Sequence, residues 1–466
     1  MLFNSTVFLQ FFAGFILLYY LCRNCLTARN LLILAGSYLF YGWWDYRFLG
    51  LLAISSVFDF LAGWWLDRVE VPLKRKLILG LSLAANLALL GFFKYYDFFT
   101  ASLAAGLNGL HFPVSIRTLG IILPVGISFY TFQSMSYVID VYRREIRAST
   151  SLLNYLAYVS FFPQLVAGPI QRSRELIPQL ESTRILTRPM LAEGLWLMTW
   201  GMFKKVVLAD NLAPLVEMVY ENPVATGPMV VLGTLAFAFQ IYCDFSGYSD
   251  LARGTGRLLG FDIVFNFNLP YWAFDLRDFW RRWHISLSTW LRDYLYISLG
   301  GNRKGNRRTY VNLMLTMVLG GLWHGAAWNF VLWGGWHGAG LMLNRRLQDR
   351  LNRCRRPSRA IIRLATLLFV LYGWLLFRAG SFAEVCRLTQ ALADWTAPPW
   401  LASYAISLLL WITPLICLEA WQKKTNNLLA PLSAPVGIRA VLQGLLVLAI
   451  VLFWEKNPAP FIYFQF

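Results

Sequence analysis

Residues 275–308 read DLRDFWRRWHISLSTWLRDYLYISLGGNRKGNRR, and residues 320–338 read GGLWHGAAWNFVLWGGWHG. Three of the four histidines of the chain lie in these two stretches, at His284, His324 and His337, among arginines and tryptophans. Histidine titrates near neutral pH and is the usual residue for moving protons in enzymes. We therefore expect the chemistry of this protein in these two stretches.

The first stretch has the periodicity of a helix that lies at a membrane surface. At about 100° per residue its apolar side chains form one stripe. That stripe consists of Leu276, Phe279, Trp280, Trp283, Leu287, Trp290, Leu291 and Tyr294. His284 lies at the edge of the stripe, where Arg277, Arg281 and Arg292 begin a cationic face. Amphipathic helices of this kind are typical of membrane interfaces, so His284 is either a functional residue or only the boundary between two faces.

The composition indicates that the chain lies in a membrane. Of its 466 residues, 58% are hydrophobic, 17% aromatic and only 14% charged, and the mean hydropathy is +0.50. This is too apolar for a soluble globular protein and is typical of a polytopic membrane protein. Apolar runs near the length that crosses about 30 Å of hydrocarbon lie at 7–22, 31–45, 48–66, 77–94, 119–139, 152–168, 191–209, 229–245, 360–377, 403–421 and 437–454.

The charges predict an orientation and exclude one class of partner. The formal net charge is +18, and most cations form short clusters beside apolar runs, as the positive-inside rule and anionic headgroups favour. Arg23 and Arg29 follow the first run, which has no basic segment before it. We therefore expect a retained anchor with the N-terminus outside and the loop at 22–30 in the cytoplasm. No soluble basic domain is present that would bind nucleic acid.

The cysteines predict neither a disulfide framework nor a metal site. The six cysteines are scattered, at positions 22, 25, 243, 354, 386 and 417, without the spacing of a disulfide-rich protein. Cys22 and Cys25 have CxxC spacing, but no second pair or histidine set completes a zinc site. We therefore expect no bound metal ion.

Two further stretches bring polar groups to the ends of apolar runs. FFPQLVAGPIQR, at 161–172, contains prolines and a glycine that predict a broken or re-entrant helix, which is tolerated only where protein or water surrounds the backbone. QIYCDFSGYSDLARG, at 240–254, places Tyr242 and Asp244 at the end of an apolar helix. A carboxylate at membrane depth is costly and indicates function. The alternative to a functional role is that Asp244, at the end of a span, is solvated or paired with one of the arginines that follow it.

Residues 311–343 contain no Lys, Arg, Asp or Glu and have basic clusters on both sides. If both clusters are cytoplasmic, the chain crosses an even number of times or dips into the membrane and returns. The segment suffices for two short helices of about 16 residues each, not for two full spans. We expect the turn near 322–329, with His324 inside the membrane at the floor of a cavity that His284 approaches from the basic face. The alternative is a single long tilted helix. Packing among tryptophans and glycines favours a core role for His337.

These motifs resemble the bacterial branch of the membrane-bound O-acyltransferase (MBOAT) family, and most closely its members that O-acetylate alginate. The similarity is carried by the two histidine stretches, LPVGISFYTFQSMSYVIDVYR at 123–143, the stretches at 161–172 and 240–254, the opening MLFNSTVFL and the closing FIYFQF. It implies an all-α polytopic membrane protein with a ring of roughly 11–13 transmembrane helices, plus re-entrant and interfacial helices, around a central cavity. The single integral-membrane domain would then span 1–466, with N-terminal helices at 1–275, a catalytic core at 276–345 and C-terminal helices at 346–466.

The resemblance also implies a chemistry. The two signature histidines of the family fall on His324 and His284, and its members transfer acyl groups from a cytosolic donor, often acetyl-CoA. His324 would act as general base or carry a transient acyl group, and His284 would orient the donor thioester. The candidate substrate-binding residues are Asp244, Tyr242, Arg281 and Arg282. The two arginines would attract donor phosphates, or alternatively serve only as positive-inside anchors.

The same resemblance implies a place and partners for the protein. It predicts a multi-pass protein of the bacterial inner membrane with a periplasmic N-terminus. A periplasmic acetyltransferase partner would receive the acetyl group as part of a polysaccharide synthesis complex, and cellulose or peptidoglycan are the alternative acceptors to alginate. A transporter or flippase for an acyl or sugar carrier is the alternative from another class. Transporters are often built from internal repeats, and no second copy of the RWHISLS and WHG blocks occurs at a matching offset.

Overall fold

The computed structural model describes residues 1–112, 114–116, 118–351, 358–454 and 461–462, with the backbone alone at 348–351. In this part of the chain all regular structure is helical. The all-α fold and its polytopic membrane character are thus confirmed. The predicted C-terminal helices at 346–466 include positions outside the described residues, as does the closing motif FIYFQF beyond its first two residues.

Within the described residues, five helical segments are long and apolar enough to cross a membrane, and two shorter apolar helices accompany them. The five segments are Leu26–Arg68, Pro72–Gly109, Gly227–Leu258, Arg359–Arg378 and Leu401–Thr425, and the shorter helices are Thr6–Cys22 and Val436–Leu452. Each overlaps one or two of the apolar runs found in the sequence. Long apolar helices satisfy every backbone hydrogen bond internally, which is what a chain in lipid requires.

The first of two compact units comprises residues 1–190 and 255–264. Its helices are α1 (Thr6–Cys22), α2 (Leu26–Asp45), α3 (Leu49–Arg68), α4 (Pro72–Leu90), α5 (Tyr96–Gly109), α6 (Ile127–Tyr142), α7 (Leu152–Ser160), α8 (Phe162–Leu165) and α9 (Ser173–Leu180). The predicted break at 161–172 is confirmed, since α8 is one turn long and no helix follows it before Ser173. Gly168 permits that break, because a side chain there would collide with the backbone of Gln164.

Two expectations for the first unit are wrong. The run at 119–139 is helical only from Ile127, because Gly126 precedes it in the left-handed region with φ 77°. The loop predicted at 22–30 is shorter, because α2 begins at Leu26. Arg29 is buried within α2 and donates hydrogen bonds to the carbonyl oxygens of Leu180 and Ser182, at 2.6 and 2.8 Å. The guanidinium thus satisfies the orphan carbonyls at the end of α9.

The second compact unit comprises residues 191–254 and 265–466. Its helices are α10 (Arg188–Met202), α11 (Asp210–Tyr220), α12 (Gly227–Leu258), α13 (Leu276–Arg282), α14 (Ile285–Trp290), α15 (Gly305–His324), α16 (Trp328–Leu351), α17 (Arg359–Arg378), α18 (Phe382–Ala391), α19 (Leu401–Thr425) and α20 (Val436–Leu452). The backbones of α10 and α12 touch, because a Cβ on Gly247 would lie 2.8 Å from the carbonyl oxygen of Gly201. Such small-residue contacts are the usual way for helices to associate in lipid.

The expected continuous helix over 276–294 is wrong. It is divided into α13 and α14 at Trp283 and His284, and a π-helical turn, Leu291–Tyr296, follows α14. His284 adopts left-handed backbone angles with φ 41°, which a residue with a side chain rarely adopts. The break turns both Trp283 and His284 inward, and each is only 1% exposed. His284 is therefore a buried residue rather than the edge of a surface helix.

The predicted turn near 322–329 is confirmed. Helix α15 ends at His324 and α16 begins at Trp328, so the alternative of one long tilted helix is wrong. The two helices form a closely packed hairpin. Side chains on Gly321 and Gly334 would collide with the backbones of Phe330 and Met317, and one on Gly338 would lie 2.8 Å from the sulfur of Met314. The glycines that appeared as a sequence motif thus permit this approach.

Candidate active site

His324 occupies the end of α15, where the hairpin turns. The residue is 5% exposed, and its ring contacts Trp333 edge-on with centroids 5.1 Å apart and Phe377 with centroids 5.4 Å apart. Gly325 follows it in an extended conformation. A side chain at Gly325 would collide with the ring of Phe330. The glycine therefore allows the chain to leave α15 sharply while the imidazole stays inside.

His284 is held at the break between α13 and α14. Its carbonyl accepts a hydrogen bond from the amide of Ser288 at 2.9 Å, as in the first turn of α14. Its ring packs edge-on against Phe245 with centroids 4.6 Å apart and also contacts Trp323, at 5.7 Å. Strained backbone of this kind persists only where its surroundings determine it, and it is common at functional sites.

Asn266 supplies those surroundings. Its carbonyl oxygen accepts from the amide of Ile285 at 2.9 Å, and its side-chain oxygen accepts from the amide of Ser286 at 3.2 Å. Its side-chain nitrogen donates to the hydroxyl of Ser249 on α12, at 3.2 Å. Asn266 thus binds the first amides of α14, which lack partners within their own helix, and ties the strained His284 to a membrane-spanning helix.

The structure brings the two predicted catalytic histidines together. The ring centroids of His284 and His324 are 6.1 Å apart, although the residues come from different helices. Reacting atoms approach to about 3–3.5 Å, so both rings reach one group placed between them. Their roles in catalysis stay predictions, but the geometry that those roles require is present.

The site is enclosed. Aromatic rings lie against both histidines, which are 1% and 5% exposed, and the cavity expected beside His324 stays a prediction. One small cavity in the second unit has a volume of about 40 Å³, enough for a water molecule or two. Just over half of the side chains that line it are polar. Asn266 and Tyr242 belong to that lining.

Tyr242 lies deep in the protein, beside a buried carboxylate. Its hydroxyl donates to one oxygen of Glu419 at 2.5 Å, and the indole nitrogen of Trp272 donates to the other at 3.0 Å. Tyr242 and Glu419 are 4% and 5% exposed. The predicted substrate-binding role of Tyr242 is untested, and its hydroxyl is already engaged by an acid that the sequence did not indicate.

Asp244 forms an internal ion pair. The Lys205 ammonium lies 2.8 Å from one oxygen of Asp244 and 2.8 Å from one oxygen of Asp210. The other oxygen of Asp244 accepts from the amide of Ile462 at 2.8 Å. The partner is thus a lysine from the same unit rather than a following arginine. Whether Asp244 also binds substrate stays a prediction.

Arg281 and Arg282 differ in their surroundings. Arg281 is exposed, whereas Arg282 is half-buried and forms an ion pair with Asp278 at 2.8 Å. Arg282 also donates to the carbonyl oxygen of Asn268 at 3.2 Å, which supports the same loop that carries Asn266. The predicted binding of donor phosphates by these arginines is untested.

His337 is surrounded mainly by aromatic rings and shares its contact with Trp333 with His324. It is 1% exposed and contacts Trp280, Trp333 and Phe369 with centroids 5.1, 4.9 and 5.7 Å away. Among the described residues, neither of its ring nitrogens has a hydrogen-bond partner. This environment agrees with the core role expected for it.

Sequence reasoning missed the groups that hold the site. Asn266 lies outside every motif, and its role depends on a contact across the fold. Lys204 and Lys205 lie within the predicted span at 191–209, and charged residues at membrane depth are a signal of function or pairing. Lys204 is 3% exposed and lies 2.7 Å from Asp250.

The fold and the site together define a class of protein: an α-helical membrane protein with two buried histidines close to each other. The model of the family described as MBOAT, membrane-bound O-acyltransferase, matches residues 142–383, which include both histidines. The probable alginate O-acetylase AlgI of Azotobacter vinelandii is 45% identical over 404 residues, which cover 85% of this chain and 79% of that protein. The chain belongs to the membrane-bound O-acyltransferase family, as the resemblance implied, and is an O-acyltransferase with a multi-pass membrane fold.

Other relatives differ in their named acceptors. The probable alginate O-acetylase AlgI of Pseudomonas putida is 43% identical over 406 residues, which cover 85% of this chain and 81% of that protein. The peptidoglycan O-acetyltransferase of Helicobacter pylori is 35% identical over 425 residues, which cover 84% of this chain and 80% of that protein. Both similarities extend over most of the chain.

Proposed function

We propose that this protein takes acetyl groups from acetyl-CoA in the cytosol and passes them across the bacterial inner membrane for the O-acetylation of an exopolysaccharide, alginate. The observation that carries the proposal is the meeting of His284 and His324, 6.1 Å apart, inside an O-acyltransferase fold. Identity of 45% to a probable alginate O-acetylase, against 35% to a peptidoglycan O-acetyltransferase, favours alginate as the polymer.

The chemistry is acyl transfer from a thioester to a hydroxyl. His324 accepts the proton of the acceptor hydroxyl as its oxygen attacks the acetyl carbonyl. The carbon–sulfur bond then breaks, and the same proton passes to the leaving thiolate, which departs as the free thiol. His284 orients the thioester from the opposite side. The aromatic walls exclude water, which protects the thioester from hydrolysis.

Movement of the aromatic wall is part of this function. The ring of His324 lies against Trp333 and Phe377, and the residue is 5% exposed. Lids that close over a reaction centre are common in enzymes. In the proposed cycle, the donor enters from the end of the helices that carries the basic clusters, and the acetyl group leaves at the opposite end.

A partner completes the delivery. We place the protein in the inner membrane with its N-terminus in the periplasm, in accordance with the basic residues that follow the first apolar run. A periplasmic acetyltransferase receives the acetyl group there and transfers it to the polymer within a synthesis complex. The lipid bilayer is the solvent for the apolar helices of both units.

Purified protein in sealed vesicles tests this function. Acetyl-CoA labelled in its acetyl group is supplied on one side, and the label is followed into free acetate, protein and added polysaccharide. Loss of the thioester with the appearance of acetylated acceptor supports the proposal. Movement of an intact acyl or sugar carrier across the vesicle without thioester cleavage would instead support a transporter.

The acceptor is tested separately. Cells that lack the gene are complemented with it, and the acetyl content of alginate, cellulose and peptidoglycan is measured after each polymer is isolated. The proposal predicts that acetyl groups return to alginate. Restoration of peptidoglycan acetylation alone would assign the protein to the other group of relatives.

A further inference from the structure

A carboxyl group is buried inside the membrane-spanning helix α19. Glu419 is 5% exposed, and each of its oxygens accepts one hydrogen bond, from the hydroxyl of Tyr242 at 2.5 Å and from the indole of Trp272 at 3.0 Å. Within the part of the chain that the structure describes, no lysine or arginine forms an ion pair with it. A carboxyl group at membrane depth is costly and is usually retained for a function. Its two donors show what that function acts on.

Tyr242 lies on the face of α12 that supports the break between α13 and α14. Phe245 and Ser249 follow it by three and seven positions, which places all three on one face of the helix. Phe245 packs on the ring of His284, and the hydroxyl of Ser249 accepts a hydrogen bond from Asn266. The hydrogen bond from Tyr242 to α19 therefore fixes this face at its first residue.

Trp272 lies in the loop at 265–275, which also carries Asn266. Leu269 in this loop has left-handed backbone angles, with φ 50°, directly before the short helical turn that ends at Trp272. Such backbone angles persist only where the surroundings hold them. The hydrogen bond from Trp272 to Glu419 is one of the contacts that hold the loop, and the loop in turn holds the first amides of α14 through Asn266.

Ring packing connects both parts to the residue before His284. Trp283 is 1% exposed, and its ring centroid lies 6.1 Å from that of Tyr242 on α12 and 5.0 Å from that of Phe267 in the loop. Residues of α12, of the loop and of α19 also line one cavity of about 40 Å³, among them Tyr242, Ser249, Asn266, Phe267 and Glu419. The three elements therefore meet beside the break.

We propose that Glu419 is a positioning residue for acyl transfer, which keeps His284 in place by holding Tyr242 and Trp272. The inference rests on the proposed function, in which His284 orients the thioester, and adds a residue of a C-terminal helix to the site. Loss of the carboxyl group would leave two buried donors without an acceptor, which is unfavourable. Helix α12 and the loop would then shift, and the imidazole would move with them.

Single-turnover kinetics of full-length protein in nanodiscs test the inference. Cleavage of labelled acetyl-CoA at varied concentrations gives the maximal rate and the concentration of half-saturation. Glu419→Met keeps the length of the side chain and removes both acceptors. A displacement of about 1 Å at a catalytic group costs about a hundredfold, so we expect a maximal rate about tenfold to a hundredfold lower, with half-saturation within about twofold of wild type.

The conservative variant should recover part of this loss. In Glu419→Gln the amide oxygen accepts from Trp272 and the amide nitrogen donates to the hydroxyl oxygen of Tyr242, so its maximal rate should lie between those of Glu419→Met and wild type. Glu221→Met is the matched control, because it makes the same change at an exposed glutamate of the second unit and should react like wild type.

Two outcomes of the kinetics overturn the inference. One is a folded, inserted Glu419→Met protein with the wild-type maximal rate. The other is a higher half-saturating concentration with an unchanged maximal rate, since Glu419 and Tyr242 would then bind the donor rather than position His284.

Variants of the two donors test the same bonds if Glu419→Met does not fold. Tyr242→Phe and Trp272→Phe each remove one hydrogen bond, so each should lower the maximal rate by about threefold to tenfold. Because both act through Glu419, adding Glu419→Gln to the double variant should change the rate little further. A full additional loss from Glu419→Gln in that background would overturn the inference.

Amide hydrogen exchange tests the positioning without any donor. The amides of Ile285 and Ser286 are bound by Asn266, so a shifted loop should make peptides from the start of α14 exchange about tenfold faster in Glu419→Met. Exchange in Glu221→Met should equal that of wild type. Equal exchange in Glu419→Met and wild type overturns the inference.

The two measurements together separate the inference from the proposed function. If wild-type protein cleaves acetyl-CoA and Glu419→Met matches it in rate and exchange, the positioning role is wrong and the acyltransferase proposal stands. If wild-type protein does not cleave acetyl-CoA but exchange at α14 is faster in Glu419→Met, the proposed function fails and the hold of Glu419 on the break at His284 is supported.

Discussion

Replacing Gly321 by alanine tests whether the packing of α15 on α16 holds His324 in its place. Gly321 lies three positions before His324 on α15, and a Cβ there would collide with the carbonyl oxygen of Phe330. The carbonyl carbon of Phe330 and the amide nitrogen of Gly334 would lie only 3.1 and 3.2 Å away. Both distances are shorter than the optimal carbon contact of about 3.5–4.0 Å. The hairpin must therefore open.

The size of the effect follows from that geometry. The obstacle is backbone rather than a flexible side chain, so the two helices separate by roughly 1 Å instead of the neighbour rotating away. Overpacking of this kind typically costs about 1–3 kcal/mol. A displacement of about 1 Å at a catalytic group lowers the rate about a hundredfold. We therefore expect a modest loss of thermal stability and a large loss of acyl transfer.

The assay compares Gly321→Ala with Gly335→Ala in the same hairpin. A Cβ on Gly335 meets no heavy atom within 4 Å, so this variant should keep its activity and gain about 0.5–1 kcal/mol from the better helix propensity of alanine. Thermal unfolding and single-turnover cleavage of acetyl-CoA are measured for both. Wild-type stability and rate in Gly321→Ala would refute the reasoning.

The remaining predictions concern groups that hold the site and the fold. Asn266→Ala removes the side-chain acceptor at the start of α14, so the strained His284 relaxes and acyl transfer falls about tenfold or more. Ser249→Ala removes only the hydroxyl that Asn266 donates to, and it should lower the steady-state rate of acyl transfer less. An unchanged rate in Asn266→Ala contradicts this role. Lys205→Met leaves two buried carboxylates without their shared cation and should destabilise the protein by about 3–5 kcal/mol. Thermal unfolding in detergent measures this, with the exposed Lys74→Met as the unchanged control, and equal melting of both variants argues against it.

The sequence predicted the features that depend on neighbouring residues. The charge-free segment at 311–343 with basic flanks was too short for two spans and too long for one, which predicted the turn at His324. Proline and glycine at 161–172 predicted the broken helix in the same way, because they act on the local backbone. Both features follow from chain geometry and do not depend on a distant partner.

Features that depend on distant partners were missed. The apolar stripe continues through His284 without interruption, so its period gave no sign that α13 and α14 are separate. The break is stabilised by Asn266, which comes from another segment of the second unit. For the same reason the role of the buried Lys205, within the apolar run at 191–209, was not predicted. Its partner Asp244 lies on another helix, and only the fold brings the two charges together.

Single-turnover transfer of labelled acetyl from acetyl-CoA by His324→Gln tests most directly whether the buried imidazole performs the chemistry. Glutamine preserves polarity and approximate size, so the hairpin should fold as before. Loss of a positioned general base predicts a rate lower by about a hundredfold to ten-thousandfold, while His111→Gln, at an exposed histidine of the first unit, should react like wild type. A folded, inserted His324→Gln protein that transfers acetyl at the wild-type rate would contradict the account.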